Sequence, residues 1–297
     1  GMGPDNPVTG TLNLSSDFEY TLDGALFIGQ DVGGGAEPNP GAATGTLNIE
    51  AGVTITSAGG DGQDLIVISR GSQIFANGTA AEPIILTGAE QAGAGEWGGL
   101  VINGRAPSNR CSDPSGLDCA IAGEGNSGDY GGPDPADDSG LLRYVSVRYA
   151  GNLISDINEL NGIAFQAVGN GTEVEFIHVH RNADDGVEFF GGTVNAKYIA
   201  LTGNQDDSLD WTDGWTGNVQ YVVVRQTLND AGTIVGDQGI EADNRSTDTT
   251  LEPFSQPVIA NMTLVGLPDV QGLPEDDSDE GIRLRAFGQE LIRTLGG

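Results

Sequence analysis

The sequence has very little positive charge. Its 297 residues include 12 Lys and Arg against 43 Asp and Glu, so the formal net charge is −31, and Lys197 is the only lysine. Nucleic acids and anionic membranes bind proteins mainly through Lys and Arg. The composition therefore argues against a nucleic-acid-binding protein, and divalent cations are the expected partners.

Long apolar runs and aromatic residues are also scarce. No segment has the roughly 20 consecutive apolar residues of a membrane-spanning helix, so we expect no membrane span. Aromatic residues make up 6% of the chain, whereas there are 48 glycines. Many glycines and few large side chains are typical of a fold with many tight turns and a thin cross-section.

Cysteine is almost absent, since Cys111 and Cys119 are the only two. They lie in the segment RCSDPSGLDC, which is rich in turn-forming residues. In an oxidising compartment such a pair forms a small disulfide loop, whereas in the cytosol the two residues would be free thiols. We expect the disulfide, and with it export from the cell, which the acidic, lysine-poor composition also favours.

The central part of the chain contains two copies of one unit. The segment DDGVEF at 184–189 returns as DDSLDW at 206–211, and KYIALT at 197–202 returns as QYVVVR at 220–225. The first strand recurs at 162–165, 239–242 and 281–284, and the second at 143–148 and 175–180. Two strands per repeat at this period predict an all-β fold, a parallel β-helix in which each repeat is one coil.

The spacing of the repeats predicts how the domain is divided. We expect residues 1–40 to form an N-terminal cap with one strand at 25–28, and residues 41–297 to form the solenoid. Intervals between repeats lengthen where Asp, Asn, Pro and Gly accumulate, which predicts loop insertions at about 105–140, 227–256 and 266–280. The first insertion is a candidate lid or contact surface.

Equivalent positions of the repeats should stack on one another. Alternation of side chains along a strand predicts an internal aliphatic ladder of Val145, Val147, Ile177, Val179, Ile199, Leu201, Val222 and Val224. The opposite face then carries an aromatic row of Tyr144, Phe176, Tyr198 and Tyr221. This row is either a structural ladder covered by a loop or a flat platform for sugar rings; with His180 and Arg225 nearby it is the candidate ligand face.

His178 and His180 are the only histidines. They are two residues apart on a predicted strand, so they share a face. A zinc site needs a third and a fourth ligand, and Arg148 and Arg225 would flank His180 and repel a cation. We therefore expect stacked or hydrogen-bonded histidines rather than a transition-metal site.

Acidic residues gather where each second strand ends, in the segments NADDG at 182–186, NQDDS at 204–208 and DQG at 237–239. Stacked coils lie about 4.8 Å apart, so the carboxylates of neighbouring coils would raise one another's pKa unless a cation lies among them. Oxygen ligands in loops favour Ca²⁺. The predicted ligands are Asp184, Asp185, Asp206 and Asp207, with Glu188 and Asp210 in a second acidic column together with Glu241. The acidic run at 275–280 is a weaker candidate, because contiguous acids are usually only hydrated.

Three segments carry a resemblance to a known family: WGGLVINGRAP, NADDGVEFFGGTVNAKYIALTGNQDDSLDWTDGW and DEGIRLR. They resemble secreted or outer-membrane bacterial lipoproteins with a right-handed parallel β-helix, distantly similar to the pectate-lyase-like superfamily. The resemblance covers most of residues 45–285. It implies a right-handed helix and a place outside the cell or on the bacterial outer membrane, and it provides no established catalytic residues.

Three functions are compatible with these features. The first is a calcium-stabilised, extracellular or cell-surface protein with a structural, adhesive or ligand-binding role, whose partner is carbohydrate or another surface protein. The second is a polysaccharide lyase or glycoside hydrolase, with a base among Arg148, His180, Arg181 and Arg225, or with the acid pairs Asp185 and Asp207 or Glu188 and Asp210. The third is a filament subunit that self-associates through the solenoid ends. Binding is favoured over catalysis, because an acidic groove repels anionic glycans and stacked repeats create acid pairs without any catalytic role.

Overall fold

The computed structural model of the chain describes residues 6–35, 37, 39–59, 64–113, 115–152, 160–229, 231–232, 236–267 and 281–285. In the first part the strands are β1 (Gly10–Leu14), β2 (Tyr20–Leu22), β3 (Leu26–Ile28), β4 (Gly45–Ile49), β5 (Thr54–Ser57), β6 (Ile66–Ile68), β7 (Gln73–Asn77), β8 (Ile84–Thr87) and β9 (Leu100–Asn103). A hairpin of β10 (Ile121–Ala122) and β11 (Asp129–Tyr130) follows, with a 3-10 helix at Glu124–Asn126 between them.

The remaining strands alternate between long strands of eight or nine residues and short strands of four. They are β12 (Gly140–Arg148), β13 (Ile163–Gln166), β14 (Glu173–His180), β15 (Val187–Phe190), β16 (Asn195–Thr202), β17 (Leu209–Thr212), β18 (Asn218–Arg225), β19 (Ile240–Asp243), β20 (Val258–Val265) and β21 (Ile282–Arg285). Within the described ranges, no helix has the length and apolar character needed to cross a bilayer.

The strands form two long parallel sheets. One sheet has eight strands in the order β3, β6, β9, β13, β15, β17, β19 and β21, so it takes one strand from each coil. The other has eleven strands and runs along β1, β4, β7, β12, β14, β16, β18 and β20, with β2, β5 and β8 beside it. Parallel pairing of every coil with the next is the parallel β-helix that the repeats predicted, and this prediction is confirmed.

The long strands of the later coils bend in the middle. Tyr144, Phe176, Tyr198 and Tyr221 have positive φ angles of 49°, 54°, 60° and 61°, and the pairing register passes over these positions. In the early coils the two halves are separate strands, as in β7 and β8, which pair with the first and second halves of β12. Each long strand therefore covers two sides of the solenoid.

The interior is the predicted aliphatic ladder. Ile199 lies between Ile177 and Val222 in the register of three neighbouring strands, and all eight predicted ladder residues are buried. Burial of aliphatic side chains is the main stabilising contribution to folding. The ladder therefore supports the stacking on which the acidic site depends.

The first coil is more complete than the sequence indicated. The structure has three strands before residue 30, where one strand was predicted, because β1 and β2 also pair with the next coil. The pairing has a clear sequence signal: GTLNL at 10–14 and GTLNI at 45–49 pair in register and differ only at Leu14 and Ile49. Residues 10–28 therefore form the first coil of the solenoid.

The segment between β9 and β12 folds against the outer face of the eight-stranded sheet. Cys111 and Cys119 are joined in a disulfide, as their spacing predicted. Ile121 and Tyr130 of the hairpin belong to a buried apolar cluster with the outward-facing Val101. Residues 268–280, which include the acidic run and most of the third predicted insertion, lie outside the described residues.

Candidate metal centre

A single column of side chains runs along the outer face of the eight-stranded sheet. In register order it contains Phe27, Val67, Val101, Ala164, Glu188, Asp210, Glu241 and Arg283. The first four are apolar and lie in the cluster under the hairpin. The next three, Glu188, Asp210 and Glu241, are termed the acidic column.

A second set of acids lies in the turns that lead into these strands. The members are Asp184, Asp185, Asp206, Asp207 and Asp237, which are termed the turn acids. The Asp185 carboxylate accepts a hydrogen bond of 2.9 Å from the backbone N–H of Asp207, one coil along. Asp207 likewise accepts a bond of 2.6 Å from the backbone N–H of Gln238. Each carboxylate therefore fastens the turn of the following coil.

Two buried asparagines fix the shape of the turns. Asn182 and Asn204 occupy equivalent positions, and the Asn204 side-chain oxygen accepts the backbone N–H of Asn182 at 3.2 Å. The Asn182 amide donates to the backbone oxygen of Asp185 at 2.7 Å. Gly186 follows, and a Cβ there would lie 2.2 Å from the Asn204 amide nitrogen. The recurring asparagines, with Gly186 packed against Asn204, therefore hold the turn acids of these two coils in equivalent places.

The turn acids and the acidic column meet in four overlapping groups. In each group, one carboxylate oxygen of each residue lies within 4.8 Å of one carboxylate oxygen of every other member. The groups are Asp184, Asp185 and Asp206; Asp185, Glu188 and Asp210; Asp206, Asp207 and Asp237; and Asp207, Asp210 and Glu241. All six residues predicted as metal ligands are present. Asp237 and Glu241 are additional members.

The electrostatics of this set are unfavourable without a counter-ion. Burial, and then the charges of Asp210, Asp184, Glu188 and Asp207, raise the pKa of Asp185 well above its ordinary value. Burial and the neighbouring acids have the same effect on the pKa values of Glu188 and Asp210. Burial raises the pKa of Asp207 to about 8. Carboxylates this close together in a site shielded from water either take up protons or bind a cation.

The donor set fits a hard cation. Ca²⁺ takes six to eight oxygen ligands at about 2.3–2.6 Å, so ligands on opposite sides of one ion are about 5 Å apart, close to the spacing in the four groups. Within the described part of the chain, four buried oxygens here lack a hydrogen-bond partner. They are Oδ1 of Asn161, Asn182 and Asp210 and Oε1 of Gln238. Carboxylate and amide oxygens together are the ligands that calcium prefers.

Arginines from the last described strand neutralise the end of the acidic column. Arg285 forms ion pairs with Glu241 and, at 3.0 Å, with Asp243. Arg283 lies 3.8 Å from Glu241 and 3.9 Å from Asp237. Because a guanidinium already balances Glu241, the group of Asp185, Glu188 and Asp210 has the greater need for a bound cation.

The aromatic row forms a continuous stack. Ring centroids are 4.4 Å apart for Tyr144 and Phe176, 4.4 Å for Phe176 and Tyr198, and 4.9 Å for Tyr198 and Tyr221, with interplanar angles of 5–7°. Tyr198 and Tyr221 are exposed, so a covering loop does not bury the whole row. Within the row the ring faces contact one another, so most of the ring surface is used in stacking between coils.

The histidines are held by hydroxyl groups. His178 lies 3.0 Å from the Ser146 hydroxyl and 3.1 Å from that of Thr202, and His180 lies 2.8 Å from Thr202. Burial, and then the nearby positive charges, lower the pKa of His178 to about 4. Neither histidine belongs to any of the four acidic groups. The contacts agree with the expected hydrogen-bonded histidines.

Two members of the site come from parts of the chain that the repeat pattern does not single out. Asn161 donates one amide N–H to Glu188 at 2.7 Å and one to Glu124 at 3.1 Å. Asn161 precedes β13 at the position that Asp185 and Asp207 occupy in later coils, so alignment of the repeats could have identified it. Glu124 lies in the insertion, outside the repeats, and the sequence carries no signal for its position.

Comparison with known proteins gives one match. A family model described as a pectate-lyase-like beta helix domain matches residues 7–295. Searches of curated proteins and of solved structures find no match. The matched range spans all of the coils described above.

Proposed function

Since the chain belongs to the family of pectate-lyase-like beta helix domains, we propose that it is an exported, calcium-stabilised β-helix protein with a structural, adhesive or ligand-binding role. The observation that carries this proposal is the meeting of Asp185, Glu188 and Asp210 beneath the surface, with oxygens within 4.8 Å of one another. A divalent ion at this point would link two successive coils of the solenoid.

The position of the acids supports a stabilising role for the ion. Asp185 belongs to one coil and Asp207 and Asp210 to the next, and backbone hydrogen bonds already connect the two coils through the turn. An ion bound by both coils would offset the repulsion between their carboxylates, because each carboxylate is attracted to the same positive charge. Ligands that bind only the folded state stabilise it in proportion to the logarithm of their concentration. Calcium should therefore raise the midpoint of unfolding.

Thermal unfolding tests the proposal directly. The protein is first treated with EDTA and dialysed, and its midpoint is then measured with EDTA, with Ca²⁺ and with Mg²⁺ at equal ionic strength. We expect Ca²⁺ to raise the midpoint by several degrees and Mg²⁺ to raise it less, because Mg²⁺ demands a stricter octahedral geometry and keeps its waters. Equal midpoints with EDTA and with saturating Ca²⁺ would contradict the proposal.

Isothermal titration of the metal-free protein gives the number of ions. The four groups share Asp185, Asp206, Asp207 and Asp210, so neighbouring groups cannot all hold an ion independently. We expect the tightest ion at Asp185, Glu188 and Asp210, away from the arginines that neutralise Glu241. Weaker binding at the turn acids would follow at higher Ca²⁺ concentration.

Export is supported by the disulfide between Cys111 and Cys119, because such bonds persist in oxidising compartments. Extracellular calcium is also abundant enough to fill sites of moderate affinity, which reach dissociation constants of about 10⁻⁴–10⁻³ M in extracellular modules. Fractionation of the source cells with an antibody to the protein tests this part. Recovery in the cytosol with both cysteines reduced would contradict it.

Glycan cleavage has weaker support. Asp185, Asp207 and Glu188 are buried, and the first two already accept backbone N–H groups. A glycosidase needs two carboxylates that reach the sugar from opposite sides. A panel of neutral and acidic polysaccharides, assayed for reducing ends and unsaturated uronates, tests catalysis, and the same panel immobilised on beads tests binding. Binding without cleavage is the expected result if glycan is the partner.

Self-association has one supporting observation. The last described coil exposes four aliphatic side chains, Val258, Val265, Ile282 and Leu284. Exposed apolar residues on the edge of a sheet favour pairing with another chain. Light scattering over a concentration series, with and without Ca²⁺, tests this filament function; a constant monomer mass would contradict it.

A further inference from the structure

The hairpin of β10 and β11 carries an acidic residue to the edge of the metal centre. Its tip is the 3-10 helix Glu124–Asn126, which is closed by hydrogen bonds from Gly123 to Gly128 and from Ser127 to Glu124. The tip is fastened to β9, because the Asn103 amide donates to the backbone oxygen of Ser127 at 2.7 Å. This holds Glu124 over the outer face of the eight-stranded sheet.

Glu124 and Glu188 meet at one side chain. The Asn161 amide nitrogen lies 3.1 Å from a Glu124 carboxylate oxygen and 2.7 Å from a Glu188 carboxylate oxygen. The insertion and the solenoid therefore bring two negative charges to the same point.

Asn161 can supply a neutral ligand oxygen at this point. Its side chain is fully buried, and its Oδ1 has no hydrogen-bond partner among the described residues. The two ends of an amide have the same shape, so half a turn about the last side-chain bond exchanges nitrogen for oxygen. That rotation would direct a neutral oxygen, together with the two glutamates, at a shared positive ion. Asp210 Oδ1 is also buried and has no hydrogen-bond partner among the described residues, and Asp210 belongs to the same group as Asp185 and Glu188.

We propose that Glu124 and Asn161 are further ligands of the ion at Asp185, Glu188 and Asp210, so that calcium fastens the hairpin at residues 121–130 to the solenoid. This inference rests on the proposed calcium site and adds a regulatory role to it. With the ion bound, the negative carboxylates of Glu124 and Glu188 both coordinate the same cation. Without it the two negative carboxylates face each other across the Asn161 amide, so the Glu124 end of the tip is held less firmly.

The base of the hairpin has attachments that do not depend on the ion. The buried Tyr130 hydroxyl donates to Asp213 at 3.2 Å, and Ile121 packs in the apolar cluster. The neighbouring disulfide loop is held by Arg70, which donates to the backbone oxygen of Cys119. We therefore expect removal of calcium to loosen the tip around Glu124, while the bond from Asn103 to Ser127 and the base stay in place.

Hydrogen exchange measured by mass spectrometry tests this inference on the intact protein. In the wild type, replacing saturating Ca²⁺ by EDTA should speed exchange at residues 123–128 about tenfold or more, and should change strands β14 and β16 much less. Glu124→Gln keeps the shape and the hydrogen-bond acceptor but removes the charge. In this variant the tip should exchange at a rate that no longer depends on Ca²⁺.

The same variants separate this inference from the proposed function. Glu124→Gln should weaken Ca²⁺ binding about tenfold, the lower end of the effects seen when metal-site residues are changed, and Asp118→Asn, an exposed change in the same insertion, should leave binding unaltered. If the wild type binds Ca²⁺ but exchange at the tip is the same in EDTA, the hairpin inference is wrong and the calcium site stands. If the wild type binds no Ca²⁺, both are wrong. Circular dichroism confirms that each variant is folded.

Discussion

Glu188 and Asp210 are register partners on adjacent parallel strands, and their carboxylates share a group with Asp185 in which the oxygens lie within 4.8 Å. Like charges directly opposite each other destabilise a sheet, and burial increases the effect. The pairing is therefore unfavourable in the metal-free protein and favourable around a divalent ion. Substitutions in this pair should have opposite effects on stability in the two conditions.

Asp210→Asn provides the first test. The substitution removes a buried charge whose Oδ1 has no hydrogen-bond partner in the described structure. In EDTA the variant should be more stable than the wild type by on the order of 1 kcal/mol, since the amide removes the charge that burial and the nearby Asp207 and Glu241 disfavour and each pKa unit corresponds to about 1.4 kcal/mol. In saturating Ca²⁺ it should be less stable, because one ligand has lost its charge. Urea unfolding in both conditions measures the reversal.

The control for this substitution is Glu82→Gln, which removes one negative charge at an exposed position. Its free energy of unfolding should stay within about 0.5 kcal/mol of the wild type in both conditions. A loss of stability for Asp210→Asn in EDTA, equal to its loss in Ca²⁺, would show that the residue acts only through packing.

The second prediction concerns pH. Burial raises the pKa of Asp207 to about 8 and that of Glu241 to about 7, so the folded metal-free protein binds more protons than the unfolded chain between about pH 4 and 8. Stability contributed by such groups is present at low pH and is lost as the pH rises through the folded-state pKa. In EDTA the free energy of unfolding should therefore fall from pH 6.5 to pH 9. The limiting slope is about 1.4 kcal/mol per pH unit for each titrating group.

The window starts at pH 6.5 to exclude the histidines. Burial lowers the pKa values of His178 and His180, so their stabilising contribution is lost only as the pH falls below about 6.5. With saturating Ca²⁺ the acids are held ionised, and the fall above pH 6.5 should disappear. Asp207→Asn should reduce the slope in EDTA. Metal-free stability that rises across this window would contradict the assigned shifts.

Much of the fold follows from the sequence, because each coil repeats a short pattern. The match of KYIALT to QYVVVR predicted the pairing of Ile199 with Val222, and the structure has it. The match of DDGVEF to DDSLDW predicted that Asp184 lies close to Asp206, and the structure has this as well. The first coil was missed because β1 contains only one strongly apolar pair, Leu12 and Leu14, and its repeat lies a whole coil later in the chain.

The bend in the long strands could not be read from the residues. Tyr144, Phe176, Tyr198 and Tyr221 are aromatic residues that ordinarily favour extended strands, yet all four have positive φ. Stacking with rings in the neighbouring coils and pairing of both strand halves hold the backbone there. The position of Glu124 could not be predicted from the sequence either, because the path of an insertion depends on tertiary packing and has no periodicity.

The third prediction concerns the attachment of the insertion. Arg70 is buried, pairs with Asp31 at 2.5 Å and donates to the backbone oxygens of Cys119 and Gly131 at 2.7 and 3.0 Å. Arg70→Met would leave these three groups without their partner. Each buried backbone oxygen left without its donor costs about 1–3 kcal/mol, whereas the ion pair adds less because the Asp31 side chain is 35% exposed. Urea unfolding should therefore show a loss of at least about 2 kcal/mol.

Arg143→Met is the matched control, since Arg143 is half-exposed and pairs with Glu173 and Glu175. Surface ion pairs contribute about 0–1 kcal/mol, so this variant should lose little stability. A loss for Arg70→Met no larger than that for Arg143→Met would mean that packing alone attaches the disulfide loop.

The fourth prediction concerns the aromatic stack. Tyr198 contacts the rings of Phe176 and Tyr221 and has a φ of 60°. Tyr198→Ala should cost about 1–3 kcal/mol, from two ring contacts of about 0.5–1.5 kcal/mol each. Tyr198→Gly loses the same contacts, but glycine adopts positive φ without the penalty of about 1–2 kcal/mol that other residues incur. The glycine variant should therefore be at least as stable as the alanine variant.

Val223, on the same strand, provides the comparison. It is exposed and lies in the regular half of β18 that pairs with Ala200. Here Val223→Gly should be less stable than Val223→Ala by about 0.5–1 kcal/mol, the usual order in a strand. Urea unfolding of all four variants in saturating Ca²⁺ shows whether the glycine or the alanine variant is the more stable at each position. The usual order at Tyr198 would show that the backbone there does not hold the left-handed conformation in solution.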